Sequence, residues 1–227
     1  MNAHSGRGTL EVGRDPVKPS VSAPPTSSAP VADKRRAILD AALRLLARTG
    51  LHNTPMSALA REAGVAAGTL YLYFPSKEAL INALYLELLD DQLRATGGDR
   101  AAPDATPDDR LAHAWHGLAR WHLDRPDASN VLQQCRASGI LTDETRAAER
   151  QLEAPGLALF DDAVARGALR PMSRQVFYAL FAGPIAALVQ MRDAGELAVD
   201  AAVLRAAFAG VCRSVLPPAG GAEPADA

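Results

Sequence analysis

Within eleven residues the chain sets Thr69, Tyr71, Tyr73 and Lys77 behind the small residues Ala67 and Gly68. Hydroxyl, phenol and ammonium groups hold phosphate oxygens and fix register, while side chains short enough to approach a groove floor read base edges. Other chemistries are poorly served. His113 and His116 stand three apart with Asp109 one turn earlier, a spacing that could begin a metal site but leaves it short of ligands, so metal is expected to be absent. Cys135 and Cys212 have no basic neighbourhood beyond Arg136 and Arg213 to lower a thiol pKa, and two cysteines make no disulfide framework. The chain contains no G-x-S-x-G, H-E-x-x-H or Walker loop. A binding protein is expected, with no catalytic residues and no cofactor.

The charge balance initially argues against a nucleic-acid partner: 24 Lys+Arg oppose 26 Asp+Glu, a net of −2. The distribution reverses that reading. Residues 1–80 hold 10 Lys+Arg and 6 Asp+Glu, and residues 81–227 hold 14 and 20. A cationic part is thus joined to an acidic part with another task.

The elements that position these groups are helical. Hydrophobic residues are 48%, aromatics only 5%, and there are 46 alanines, a composition that favours helix and argues against an aromatic-rich β-sandwich. Ile38, Ala41, Ala42, Leu45 and Leu46 fall on one face of a helix from Asp33 to Gly50. Thr54-Pro55 reads as N-cap and first turn of a short helix over 56–63. Gly64 turns the chain into a second short helix over 67–73, which Pro75 ends, and Ser76 caps the next. Further helices are expected near 108–124, 127–138, 142–166 with a kink or break at Pro155-Gly156, 173–194 and from Asp200 to Pro217. The fold class is all-α with about nine helices. The apolar run 176–191 is interrupted by Gly183-Pro184 and too short to be read as a membrane span, and the first residues form no signal peptide, so a cytoplasmic location without membrane association is expected.

The segment 56–74 has helix-turn-helix physics. Ala60 is small where two helices cross, Gly64 supplies a positive φ, Val65 and Leu70 plug the core, and Ala67-Gly68-Thr69 starts a helix able to enter a major groove. With its flanks, and above all with the run Gly64-Val65 through Thr69-Leu70-Tyr71-x-Tyr73-Phe74-x-x-Lys77-Glu78-x-Leu80, it resembles the N-terminal domain of the TetR (tetracycline-repressor) family of bacterial transcription regulators. The resemblance covers residues 33–80.

It implies a three-helix DNA-binding domain over 33–80 and a helical ligand-binding and dimerisation domain over 81–216; by composition, with five prolines and no apolar period in residues 1–32, the flanks 1–32 and 217–227 are expected to be disordered tails. The resemblance also implies DNA contacts. Ala67, Gly68 and Thr69 would lie over base edges, Tyr71, Tyr73 and Lys77 on phosphates, Thr54 and Ser57 at the preceding helix start, and Lys34 and Arg35 on backbone or minor groove. Ala66 stands where the family often has Ser or Thr, so the usual cap is missing, and Ala67 and Gly68 have no side-chain donor, so hydrogen-bond readout by this helix would be sparse. Trp115, Leu118, His122, Leu132, Cys135, Phe160 and Phe177 are candidate lining for an effector cavity. The last two helices would pair with a second copy through Phe181, Ile185, Leu188, Leu204, Phe208 and Val211. The expected partners are double-stranded operator DNA, an unidentified small-molecule effector and a second copy of the chain. The expected function is a ligand-released repressor; an activator or a ligand-independent DNA-binding protein is the alternative.

Overall fold

The computed structural model describes residues 31–97 and 105–218, with backbone alone for 31 and 32. Among these residues the chain forms nine α-helices and no strand. They are α1 (Val31–Thr49), α2 (Met56–Glu62), α3 (Ala67–Tyr73), α4 (Lys77–Thr96), α5 (Pro107–Asp124), α6 (Pro126–Ser138), α7 (Asp143–Ala165), α8 (Arg174–Asp193) and α9 (Ala201–Val215). None of them is long and apolar enough to cross a membrane. The expected tails lie outside the described residues, except that 31 and 32 belong to α1 and 217 and 218 follow α9.

The helix starts follow local chemistry. Ser76, Thr142 and Ser173 each accept a hydrogen bond from the backbone amide three residues on, and Asp200 accepts two. Thr106 and Asp109 form a reciprocal capping box with Pro107 in the first turn. Of the kink or break expected at Pro155, the break does not occur: α7 runs through it. Ala154, Pro155 and Gly156 are all exposed, so backbone groups left without helix partners there can turn to water.

Two cores form. The first gathers Ile38, Leu46, Leu59, Leu70, Phe74, Leu80 and Tyr85 from α1–α4, and then Trp121, Val131, Leu132 and Cys135 from α5 and α6. The second gathers Leu111, Trp115, Phe160, Phe181, Ile185, Val211 and Val215. The division expected after residue 80 therefore falls inside α4, whose first half completes the N-terminal core. Asn82 fastens that half to the body, donating to the carbonyl of Ile140 (3.0 Å) and accepting from the amide of Thr142 (3.0 Å). At its other end, α4 meets α5 so closely that a Cβ on Gly117 would lie 1.9 Å from the Ala95 carbonyl oxygen.

Candidate nucleic-acid interface

The turn between α2 and α3 is built around Gly64, whose φ of +66° suits glycine. The Val65 amide bonds the Ala60 carbonyl at 3.0 Å, and Val65 packs on the core. Leu70 (0% exposed) and Phe74 (3%) anchor α3 from within. The opposite face then points to solvent: Ala67, Gly68, Tyr71 and Leu72 are exposed. Thr69 is half-buried, and Tyr73 packs partly against the core. Ala66 caps α3 without any side-chain hydrogen bond. Ser57 and Arg61 are exposed on the neighbouring α2.

Two expected DNA contacts are otherwise engaged. Thr54 is 1% exposed, with its hydroxyl 2.8 Å from the Gly50 carbonyl oxygen and 2.6 Å from the Thr49 hydroxyl. It fastens the end of α1 to the following turn, and Pro55, not Thr54, occupies the N-cap of α2. A hydroxyl turned inward cannot meet a phosphate. Arg35 forms an ion pair with Glu87 of α4, and its guanidinium lies 5.4 Å from the centre of the Phe74 ring. It ties α1 to α4 and covers the core.

The remaining cations sort simply. Arg36 pairs with Asp40 at 3.0 Å, and Arg44 and Arg48 both face Glu62, at 3.7 and 3.1 Å. Lys34, Arg61 and Lys77 form no ion pair among the described residues. Lys77 donates to the His52 carbonyl at 3.0 Å, which holds its ammonium beside the α1–α2 turn.

Of the seven residues expected to line one effector cavity, six fall into two groups. Leu132 and Cys135 belong to the first core, while Trp115, Leu118, Phe160 and Phe177 belong to the second. His122 bridges three helices instead: Nε2 lies 2.9 Å from the Gln92 amide nitrogen and Nδ1 2.7 Å from the Ser129 hydroxyl. Burial, then the charge of Arg136, pushes its pKa down to about 4, so the ring is neutral. Burial likewise pushes the Cys135 thiol up to about 12, far from a reactive thiolate. His113 lies against Gly97, and His116 packs beside Trp115 and Phe208.

Sequence reading missed a polar cluster in this body. The Arg136 Nε donates to the Tyr85 hydroxyl at 3.0 Å, and Tyr85 donates to Glu149. Arg136 also lies 3.6 Å from the carboxylates of Glu149 and Glu153, so one guanidinium joins α4, α6 and α7. A cleft of about 560 Å³ between α1, α4 and α6 was also missed; Arg36, Asp40, Glu87, Asp91 and Arg125 line it. Both features join residues distant in sequence, and no local pattern announces them.

Of the residues expected at a dimer seam, Phe181, Ile185, Leu188 and Val211 are 9% exposed or less within a single chain. Leu204 and Phe208 are half-buried. The outward stripe of α8 is instead Val176, Ala179, Gly183, Ala186, Ala187 and Met191, and that of α9 is Ala202, Ala206 and Ala209, all exposed.

An N-terminal helix-turn-helix with its second helix uncovered, set on a helical body, defines the class of DNA-binding transcriptional regulators. Comparison with known proteins agrees. The family model for bacterial regulatory proteins, tetR family, matches residues 38–84. The HTH-type transcriptional regulator RutR of Escherichia coli (strain K12) is 31% identical over 147 residues, 64% of this chain and 68% of that protein. The fatty acid metabolism regulator protein of Bacillus subtilis (strain 168) is 46% identical over 50 residues, 22% of this chain and only 26% of that protein. Among solved structures, a TetR family transcription regulator from Marinobacter aquaeolei VT8 has a TM-score of 0.75 at 26% identity, covering 82% of this chain and 96% of that one. The transcriptional regulator FadR from Bacillus subtilis, in complex with stearoyl-CoA, shares the fold at a TM-score of 0.61 and 22% identity, covering 78% and 95%. The chain belongs to the TetR family of bacterial transcriptional regulators.

Proposed function

We propose that the chain is a cytoplasmic, dimeric repressor that binds a near-palindromic operator and is released by a small-molecule effector. The uncovered face of α3 is the observation that carries the reading. Ala67, Gly68 and Tyr71 stand exposed on it, Thr69 is half-exposed beside them, and Ser57, Arg61 and Lys77 flank it. Lys34, Arg61 and Lys77 have charge to spare for phosphates, whereas Arg35 and Thr54 are held by their own chain.

The uncharged outward stripe of α8, beside the alanines Ala202, Ala206 and Ala209 of α9, supports pairing with a second copy. Their alanines and glycine allow close backbone approach, and a two-fold seam uses the same patch on both protomers. Two copies of α3 would then enter successive major grooves about 34 Å apart. The division of labour falls near residue 80, although the cores do not. An effector that binds one arrangement of the body more tightly shifts the spacing of the two α3 helices. FadR of the solved complex holds stearoyl-CoA, which supports a small-molecule effector here without naming it.

The test is selection of bound fragments from the source genome, followed by footprinting. Two protected half-sites one helical turn apart support the proposal. A sequence-blind, salt-steep shift refutes it. Ala187→Glu places a charge on the outward stripe of α8 and is expected to give monomers by sedimentation; a persistent dimer would remove that seam.

A further inference from the structure

Among the described residues, Leu72 is the most exposed large hydrophobic side chain, at 85%, two positions after the fully buried Leu70. A single exposed leucine is ordinary on a protein surface. Its place here is what matters. At 100° per residue, Leu72 follows Gly68 by one turn on the outward face of α3, and Tyr71 follows Ala67 in the same way.

Gly68 has no internal reason to be glycine. A Cβ built on it meets nothing within 4 Å, and its φ is not in the left-handed region. The bare backbone lets the first turn of α3 come close to whatever α3 faces, which brings the Leu72 side chain to the same depth. Along that ridge the chain offers no hydrogen-bond donor or acceptor from a side chain. In a major groove, guanine, adenine and cytosine are told apart by donors and acceptors; thymine alone adds a methyl group, which apolar side chains recognise.

We infer that Leu72 is a specificity-determining residue that reads the 5-methyl group of thymine in each half-site. The inference rests on the proposal that α3 enters the major groove, and it adds the base class that α3 selects. The half-site should therefore carry thymine at one or two positions opposite the Gly68–Leu72 ridge. These positions tolerate cytosine poorly because it lacks the methyl, not because a hydrogen bond is lost.

The experiment uses the full chain and the duplex obtained by fragment selection. Thymines of the half-site are replaced one at a time by deoxyuridine, which lacks only the 5-methyl group. One buried methyl contact corresponds to about a fourfold loss of affinity, or about fifteenfold when both half-sites are changed. Leu72→Ala, at a site open to solvent, should fold normally, bind the parent duplex more weakly, and distinguish thymine from deoxyuridine by less than about 1.5-fold at those positions. Equal binding of thymine and deoxyuridine duplexes by the wild type at every position overturns the inference. So does a deoxyuridine penalty that persists in full in Leu72→Ala. Either result leaves sequence-specific binding standing. Failure to select any specific duplex removes the underlying proposal, and this inference with it.

Discussion

Replacing Lys77 by glutamine removes one positive charge beside α3 and keeps a donor for the His52 carbonyl, which now accepts from the ammonium at 3.0 Å. Among the described residues of α1–α3 and the start of α4, Lys34, Arg61 and Lys77 carry no ion pair, which makes six unpaired cations in a dimer. If each neutralises one phosphate, they give a log–log salt slope of about −5. Operator affinity then falls about a thousandfold between 50 and 200 mM KCl. If the proposed dimer uses both lysines on phosphates, Lys77→Gln removes two contacts and should flatten the slope by about 1.8, so that the same salt change costs only about a hundredfold. Fluorescence anisotropy of a labelled operator across that range reads the slope, and thermal melting controls for folding. A melting point within ~2 °C of wild type with an unchanged slope would sink the reasoning. Lys77 would then serve only to hold the start of α4 to the α1–α2 turn.

Gly117→Ala should destabilise the chain by about 3 kcal/mol, because its Cβ would lie 1.9 Å from the Ala95 carbonyl oxygen; an unchanged urea midpoint would show that the crossing of α4 and α5 can open freely. His122 has a folded pKa of about 4 against an unfolded 6.5. Its contribution is complete above pH 6.5 and fades as pH falls from 6.5 to 4, by on the order of 2 kcal/mol, and His122→Gln should abolish that part of the pH dependence. Cys135 should react with a thiol reagent only as fast as the protein opens, since its thiol is buried and its pKa stands at about 12; rapid labelling of the native chain at neutral pH would contradict this.

Much of this fold was legible where a local signal decides the outcome. Ser76, Thr106 with Asp109, Ser173 and Asp200 each begin a helix as their side chains dictate. Thr54-Pro55 carries the same signature as Thr106-Pro107, yet Thr54 turns inward. The difference is that the Thr54 hydroxyl bonds back to Thr49 and Gly50 at the end of α1, a local alternative to capping that the Thr-Pro signature does not register. Phe181, Ile185 and Val211, expected at a seam, are packed in the protomer's own core, because the largest apolar residues of α8 and α9 are also the ones a single chain buries first. The outward stripes are mostly alanine with one glycine, Val176 and Met191 excepted, and carry little hydrophobic signal. Spacing alone could have placed Leu72 opposite Leu70, but an apolar residue in a helix is first taken as core. The supposed cavity mixed residues from two cores because periodicity gives a face without naming its neighbour.

The acidic partners on α1, α2 and α4 have a consequence for how the protein would spend its time in a cell. Asp40, Glu62 and Glu87 neutralise four arginines that could otherwise cling to any stretch of duplex. A chromosome offers roughly a million or more competing sites, and a stickier surface would leave most copies parked on them. Weak holding of bulk DNA enlarges the free pool, shortens each futile visit, and lets a modest number of molecules keep one address occupied.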